Sequence, residues 1–359
     1  MIPFRLDIPI VSLQSVALEP WHARVPWLPS FCPNAMLPLT DNMNFLERMQ
    51  NLFAYIYMHQ IGITSPLPTE VFDAYSQYGT FSSPDDIFRR TQLWIVTSDP
   101  VLDYPKPLMP NIVEAGGLVA KPAKALDQQW SAIVEEAESI VLVSFGSISS
   151  SFPRDISLRC LSTFSMLQHT VIWRFINKEN LTIPDNVIIS NWLPQNDLLA
   201  QTKVKAFVSH CGNNGLYEAL YHGVPLVGMP LRGDQFYYAR CVSHKGFGKL
   251  VEFTKFSPEE LVMAIEEVVN NQTYREKIRK ASLMFHDRSE NPAERAVAAI
   301  ERFLRHGSIQ SHAVDLPLYK FLMLDVLAFC ALVLIFCLLC LVWAVRVCFC
   351  NKRAKQKTH

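Results

Sequence analysis

Two kinds of apolar run alternate along the chain. One kind is short, continuous and rich in β-branched residues: residues 8–13, 93–97, 140–144, 171–175, 187–190, 204–209, 226–229 and 249–253. Runs of that length, bounded by Gly, Pro or polar residues, predict buried parallel strands. The other kind repeats every three to four residues. Residues 42–59 carry Phe45, Met49, Leu52, Phe53 and Ile56 on one helical face, residues 156–167 read as a helix, and residues 84–90 as a short one. Ser257-Pro258-Glu259-Glu260 opens another helix, with Ser at the N-cap, Pro in the first position and Glu260 placed for a capping box. Val262, Ile265 and Val269 give it an apolar face, and residues 274–305 are mostly helical with a break near Pro292. Strand and helix alternate from Ile140 onward, which predicts a doubly wound α/β fold. Residues 21–38 and 100–110 are proline-rich and read as loops.

A third pattern lies near the C-terminus. Residues 326–345 contain no formal charge and are bracketed by Asp325 and Arg346. At about 1.5 Å per residue the run spans a hydrocarbon core of about 30 Å, so it predicts a transmembrane helix. Arg346, Lys352, Arg353, Lys355 and Lys357 follow, which places the tail in the cytosol and the main body across the membrane. Asn180-Leu181-Thr182 and Asn271-Gln272-Thr273 are glycosylation acceptors that suit a luminal body. Residues 1–7 lack a basic segment followed by an apolar core and do not form a signal peptide. Either the apolar helix alone directs insertion, or the sequence lacks its start.

Composition narrows the function classes. The 359 residues suffice for two domains, the formal net charge is zero and no basic patch stands out, which argues against a nucleic-acid partner. Nine cysteines are scattered, five of them in or beside the apolar run. Cys32, Cys160, Cys211 and Cys241 form no C-x-x-C pair, so neither a disulfide scaffold nor a zinc site is expected.

Candidate chemistry concentrates in residues 191–235. The strand at 204–209 leads into His210, then Gly212 and Gly215, then the helical spacing of residues 216–221. A strand, a small-residue turn and a helix start aim backbone N–H groups and a helix dipole at one point, which suits a phosphate. Asn214 and Glu218 are four apart and share a helix face, and a carboxylate there can accept bonds from both ribose hydroxyls. Asp234 and Gln235 lie past the next strand, at the end of an open sheet where ligands bind. Phe145-Gly146-Ser147 turns tightly after the strand at 140–144 and is not a dinucleotide fingerprint, because no G-x-G-x-x-G follows.

Trp192-Leu193-Pro194-Gln195, His210-Cys211-Gly212-Asn213-Asn214-Gly215, Glu218 and Gly233-Asp234-Gln235 together resemble the signature of the UDP-glycosyltransferases, in the form of animal UDP-glucuronosyltransferases. The resemblance implies a GT-B-like fold: two Rossmann-like domains, the first truncated, plus one C-terminal transmembrane helix. Residues 1–115 would be the remnant of an N-terminal acceptor-binding domain, 116–316 the UDP-sugar-binding domain and 317–359 the membrane helix and basic cytosolic tail. Gly116-Gly117 and the loop to Leu126 are the candidate interdomain hinge.

By the same resemblance, Trp192 stacks on uracil, Gln195 lies close to the nucleoside and Glu218 holds the ribose. His210, Gly212 and Asn214 face the diphosphate with Ser147 nearby, and Asp234 and Gln235 grip the sugar hydroxyls. The implied reaction is inverting and metal-independent transfer of a sugar, glucuronic acid foremost, from UDP to a hydroxyl of a small lipophilic acceptor, with no cofactor. The final residues resemble a dilysine retrieval signal of the endoplasmic reticulum, which makes the chain a single-pass type I membrane protein with a luminal body.

Three departures stand out. The family's catalytic base is a His near the start of the first domain, held by an Asp; both would precede the strand at 8–13, so no catalytic residue is assigned. His22 and His59 sit outside that context. Cys211 stands where animal members usually have Gly, and Arg232, beside Gly233-Asp234-Gln235, reads as solvated or as a partner for a sugar carboxylate. The alternative function is a catalytically incomplete form that binds UDP-sugar and pairs with full-length relatives in a homo- or hetero-oligomer.

Overall fold

In the computed structural model, residues 6, 8–14, 25–64, 88, 90–146, 152–176 and 181–356 are described. Met1–Gln310 and Ser311–His359 form two separate units.

In the first unit the continuous apolar runs become parallel strands, and the inner ones, at 91–96, 140–144, 170–174, 204–209 and 226–228, are mostly buried on both faces. Three strands, β1 (Ile10–Gln14), β2 (Thr91–Val96) and β3 (Ile112–Glu114), make one parallel sheet in the order β1-β2-β3. Six more make a second: β4 (Ile140–Ser144), β5 (Thr170–Arg174), β6 (Val187–Ser190), β7 (Val204–Ser209), β8 (Leu226–Gly228) and β9 (Gly248–Leu250). Their order is β6-β5-β4-β7-β8-β9, with every pair parallel. Alternate residues feed two cores. Ile140, Leu142 and Phe207 face one side, and Val141, Val143, Ala206 and Val208 face the other.

The helices in chain order are α1 (Phe45–Thr64), α2 (Gln128–Glu136), α3 (Arg154–Ser165), α4 (Gln195–Leu199), α5 (Asn213–His222), α6 (Gln235–Lys245), α7 (Pro258–Asn270), α8 (Gln272–His286) and α9 (Pro292–His306). The predicted helix at 84–90 falls outside the described residues apart from Phe88 and Arg90. Ser257 caps α7 by accepting the Glu260 N–H at 3.1 Å, but the full capping box belongs to α9, between Asn291 and Glu294.

The first long helix corrects a simple amphipathic reading. Phe45, Met49, Leu52, Phe53 and Ile56 are all exposed, as are Leu46 and Tyr57. The buried side of α1 instead carries Asn51, which is 0% exposed. Its Oδ1 accepts the Asn34 N–H at 2.7 Å, and its Nδ2 donates to the Pro29 and Cys32 carbonyls at 3.0 and 2.8 Å. A single amide thus moors the helix to the loop beneath it, helped by Tyr55 stacked on Trp27 at 4.0 Å.

Polar ties join the loops after the first sheet to the second. Asn213 Nδ2 donates to the Thr97 carbonyl at 3.0 Å, Arg288 pairs with Asp99 at 2.5 Å, and Lys245 Nζ donates to the carbonyls of Pro100, Val101 and Asp103. The segment read as a hinge is pinned as well. Asn196 exchanges two hydrogen bonds with the backbone of Lys121, and Asp197 accepts the Lys124 N–H at 2.9 Å. Gly116 lies so close to Tyr217 and the Ser98 carbonyl that a Cβ there would sit 2.5 Å from the Tyr217 hydroxyl.

The second unit holds a short 3-10 turn (His312–Asp315), α10 (Leu318–Phe321) and α11 (Leu324–Gln356). Leu324–Val347 is long and apolar enough to cross a membrane, and none of it is buried in the protein.

Candidate functional site

A cleft of about 570 Å³ opens where the second sheet reverses its strand order, at the C-terminal ends of β4 and β7. Open α/β sheets bind ligands at this switch point. Ser209 closes β7, Cys211 turns the chain with φ of 61°, and Gly212 becomes the N-cap of α5. Gly212 has no side chain to cap the helix, so the first-turn N–H groups of α5 stay available to an anion. The left-handed φ gives a physical reason why Gly suits position 211, since a Cβ is strained there. Cys211 tolerates it because Ser209 Oγ accepts its N–H at 3.2 Å and its thiol is buried, which pushes the pKa up to about 12.

His210 lies between two glycines. A Cβ at Gly146, whose φ is 79°, would sit 2.7 Å from His210 Nε2, and one at Gly212 would overlap the same atom. Burial drives the imidazole pKa down to about 4, and the nearby Arg232 charge pushes the same way. The Ser144 backbone pulls upward against burial, while Nδ1 is buried and makes no hydrogen bond of ordinary geometry. The imidazole is therefore neutral at pH 7, beside a helix start that already supplies positive potential.

At one end of the cleft, Trp192 is 72% exposed, with the Arg174 guanidinium 5.0 Å from its ring centroid and the Arg174 Nε bonded to the Asn191 carbonyl. Glu218 accepts a short hydrogen bond from Gln195 Nε2. Burial raises the Glu218 pKa, while the Gln195 bond and the Lys121 charge oppose that rise. Asn214 is exposed on the same face of α5. Its neighbour Asn213 is buried and bonds Thr97 and Tyr238 instead. Gln235 lines the cleft from the start of α6, its Oε1 accepting the N–H groups of Leu231 and Arg232 at 2.9 and 3.1 Å.

Trp192, Gln195, His210, Gly212, Asn214, Glu218 and Gln235 thus meet at one cleft. Asp234 sits at the N-cap of α6 and is not among the lining residues, and Ser147 lies outside the described residues. Sequence reasoning missed Lys121, Arg174 and Asn196, which also line the cleft. For Arg174 a signal existed, since it ends β5 at the C-terminal edge where ligands gather. Among the described residues no group of three His, Cys, Asp or Glu side chains could hold a metal ion.

Solved structures place this architecture among the GT-B glycosyltransferases. The calicheamicin glycosyltransferase aligns with a TM-score of 0.56 at 18% identity, over 85% of this chain and 70% of its own. A UDP-glucosyltransferase from Polygonum tinctorium aligns with a TM-score of 0.58 at 16% identity, over 85% of this chain and 73% of its own.

Residues 4–358 match the family UDP-glucoronosyl and UDP-glucosyl transferase, and the chain belongs to that family. It is 33% identical to the mouse (Mus musculus) UDP-glucuronosyltransferase 1-2, over 99% of this chain and 68% of that one. It is also 33% identical to rabbit (Oryctolagus cuniculus) UDP-glucuronosyltransferase 2C1, over 98% and 72%, and 32% identical to human UDP-glucuronosyltransferase 1A10, over 92% and 64%. The chain therefore spans about two thirds of the length of these relatives.

Proposed function

We propose that the cleft binds a UDP-sugar and that the protein transfers the sugar, glucuronic acid foremost, to a hydroxyl of a small lipophilic acceptor with inversion. The observation that carries this reading is the cleft at the β4/β7 reversal, where an exposed Trp, a half-buried carboxylate and an uncapped helix start line one cavity. Uracil stacks on the face of Trp192 opposite Arg174. Glu218 leaves Gln195 to accept the ribose hydroxyls, and the diphosphate lies over Gly212 against His210. The neutral imidazole and the α5 N–H groups stabilise the charge that develops on the leaving UDP. Asp234 and Gln235 take the sugar hydroxyls, and Ser147 lies near the diphosphate. Residues 1–115 serve the acceptor and 116–316 the donor.

The span at Leu324–Val347 fixes the protein to a membrane, and the basic residues after it orient the body to the lumen of the endoplasmic reticulum. Protease protection of intact microsomes tests that orientation; digestion of the body from outside would refute it.

Titration of the detergent-purified chain with UDP and NAD tests the site: UDP binds and NAD does not. Tighter binding of NAD would overturn the reading. A second reading is that the chain binds UDP-sugar and pairs with a relative without turnover of its own. Transfer assays of the chain alone, and co-expressed with such a relative, separate the two.

A further inference from the structure

Among the described residues, three cationic side chains line the cleft: Lys121, Arg174 and Arg232. Two have evident work at the nucleoside end. Arg174 packs its guanidinium over Trp192 and bonds the Asn191 carbonyl, and the Lys121 charge favours ionised Glu218. Arg232 differs. It stands in the turn between β8 and α6 next to Gly233, whose φ is 60° and around which nothing lies within 4 Å of a would-be Cβ. Its backbone N–H is held by Gln235 Oε1, so the turn is fixed. Its side chain is exposed and makes no ion pair or hydrogen bond among the described residues, yet its charge reaches His210.

The same Gln235 amide defines what else this end offers. Both N–H groups of the turn go to Oε1, which fixes the amide orientation and leaves Nε2 as a donor without a partner among the described residues. Among the described residues, the sugar end of the cleft therefore offers two side-chain donors, Gln235 Nε2 and the Arg232 guanidinium, with the Asp234 carboxylate beside them at the start of α6. A neutral hexose offers the guanidinium only a single hydroxyl oxygen as acceptor. A hexose that carries a carboxylate offers it two, since a guanidinium matches a carboxylate with two parallel hydrogen bonds.

We propose that Arg232 selects the donor by pairing with the carboxylate of a uronic acid on the nucleotide, distinguishing it from the corresponding neutral hexose. This rests on the nucleotide-sugar reading of the cleft and adds the residue that sets its preference between donors. The discrimination is a difference between two affinities and requires no movement of the diphosphate.

The test measures binding of UDP, UDP-glucose and UDP-glucuronate to the full chain in detergent, for the natural protein and for Arg232→Gln and Arg232→Lys. The natural protein binds UDP-glucuronate more tightly than UDP-glucose. Arg232→Gln weakens UDP-glucuronate about tenfold, the lower end for a charged hydrogen bond at an exposed site, with the loss confined to the carboxylated donor. Arg232→Lys keeps the charge but not the fork and falls between. Equal weakening of all three ligands would assign Arg232 to the diphosphate and overturn the proposal, as would unchanged affinity for UDP-glucuronate. No UDP binding by the natural protein would defeat the nucleotide-sugar reading itself, and the Arg232 assignment with it. UDP binding without any preference for the uronate would sink the Arg232 assignment alone.

Discussion

His210 occupies a slot that only glycine neighbours permit, and this makes a sharp double-mutant test. Gly212 has φ of −69°, which any residue adopts, so Gly212→Ala should be harmful only through its overlap with the imidazole. Overpacking of that kind costs about 1–3 kcal/mol. Thermal unfolding should show the loss in the natural background and little of it with His210→Ala; an equal loss in both would mean the turn itself rejects alanine. The imidazole also links stability to pH. Its folded pKa of about 4 lies below the ordinary 6.5, so its contribution is full above pH 6.5 and is lost as pH falls toward 4. At about 1.4 kcal/mol per pH unit, that loss is on the order of 3 kcal/mol. His222, also held down to about 4 chiefly by burial, acts in the same direction. Glu114 and Glu218, raised chiefly by burial, work oppositely as they ionise. The urea midpoint should drop from pH 7 to pH 5, and His210→Asn should flatten the drop. For the ribose assignment, Glu218→Ala should weaken UDP about ten- to a hundredfold, at 1.5–3 kcal/mol for a charge-assisted bond; unchanged UDP affinity in calorimetry would remove that role. The residue types of the cleft were legible because one segment carries most of them. Lys121 was not, because it arrives from a loop remote in sequence, and Arg174 was marked only by its place at the end of β5.

Elements were most legible where burial is complete. β4 and β7, almost wholly buried, begin and end where their runs do, and the half-buried β6 does so because turns bound it. Edge elements drift: β1 starts two residues later than its run, and β9 stops at Leu250. α4 was invisible, being five residues long and starting directly after Pro194, and the apolar periodicity of α2 covers little more than two turns. The orientation of α1 could not be read at all, because periodicity gives a stripe without saying what lies against it. The structure shows that an amide, not the stripe, holds this helix. Asn51→Ala strands one buried backbone N–H and two carbonyls. Hydrogen exchange should show α1 opening with a stability lower by about 2–3 kcal/mol, while α5 keeps its protection; unaltered exchange in α1 would mean that the Trp27–Tyr55 stack suffices.

At the scale of the whole molecule, alternation of strand and helix gave the α/β class, and the uncharged C-terminal run gave the apolar helix. The ties between the sheets were not legible, because Asn213, Lys245 and Arg288 look like ordinary polar positions until the two halves meet. Arg288 and Asp99 are both largely buried, so Arg288→Met should leave an uncompensated carboxylate and destabilise the protein by about 3–5 kcal/mol. Adding Asp99→Leu should recover part of that loss, and a double variant no better than the single one would deny the pair its role. Deleting residues 311–359 should release the body from alkaline-washed membranes.

The outward stripe of α1 has a practical corollary for that released body. Seven greasy side chains along one cylinder form a patch larger than a solitary soluble domain ordinarily leaves bare. Without its anchor the body should still cling to phenyl resin and quench into mild micelles, and Phe53→Glu with Leu46→Lys should loosen both.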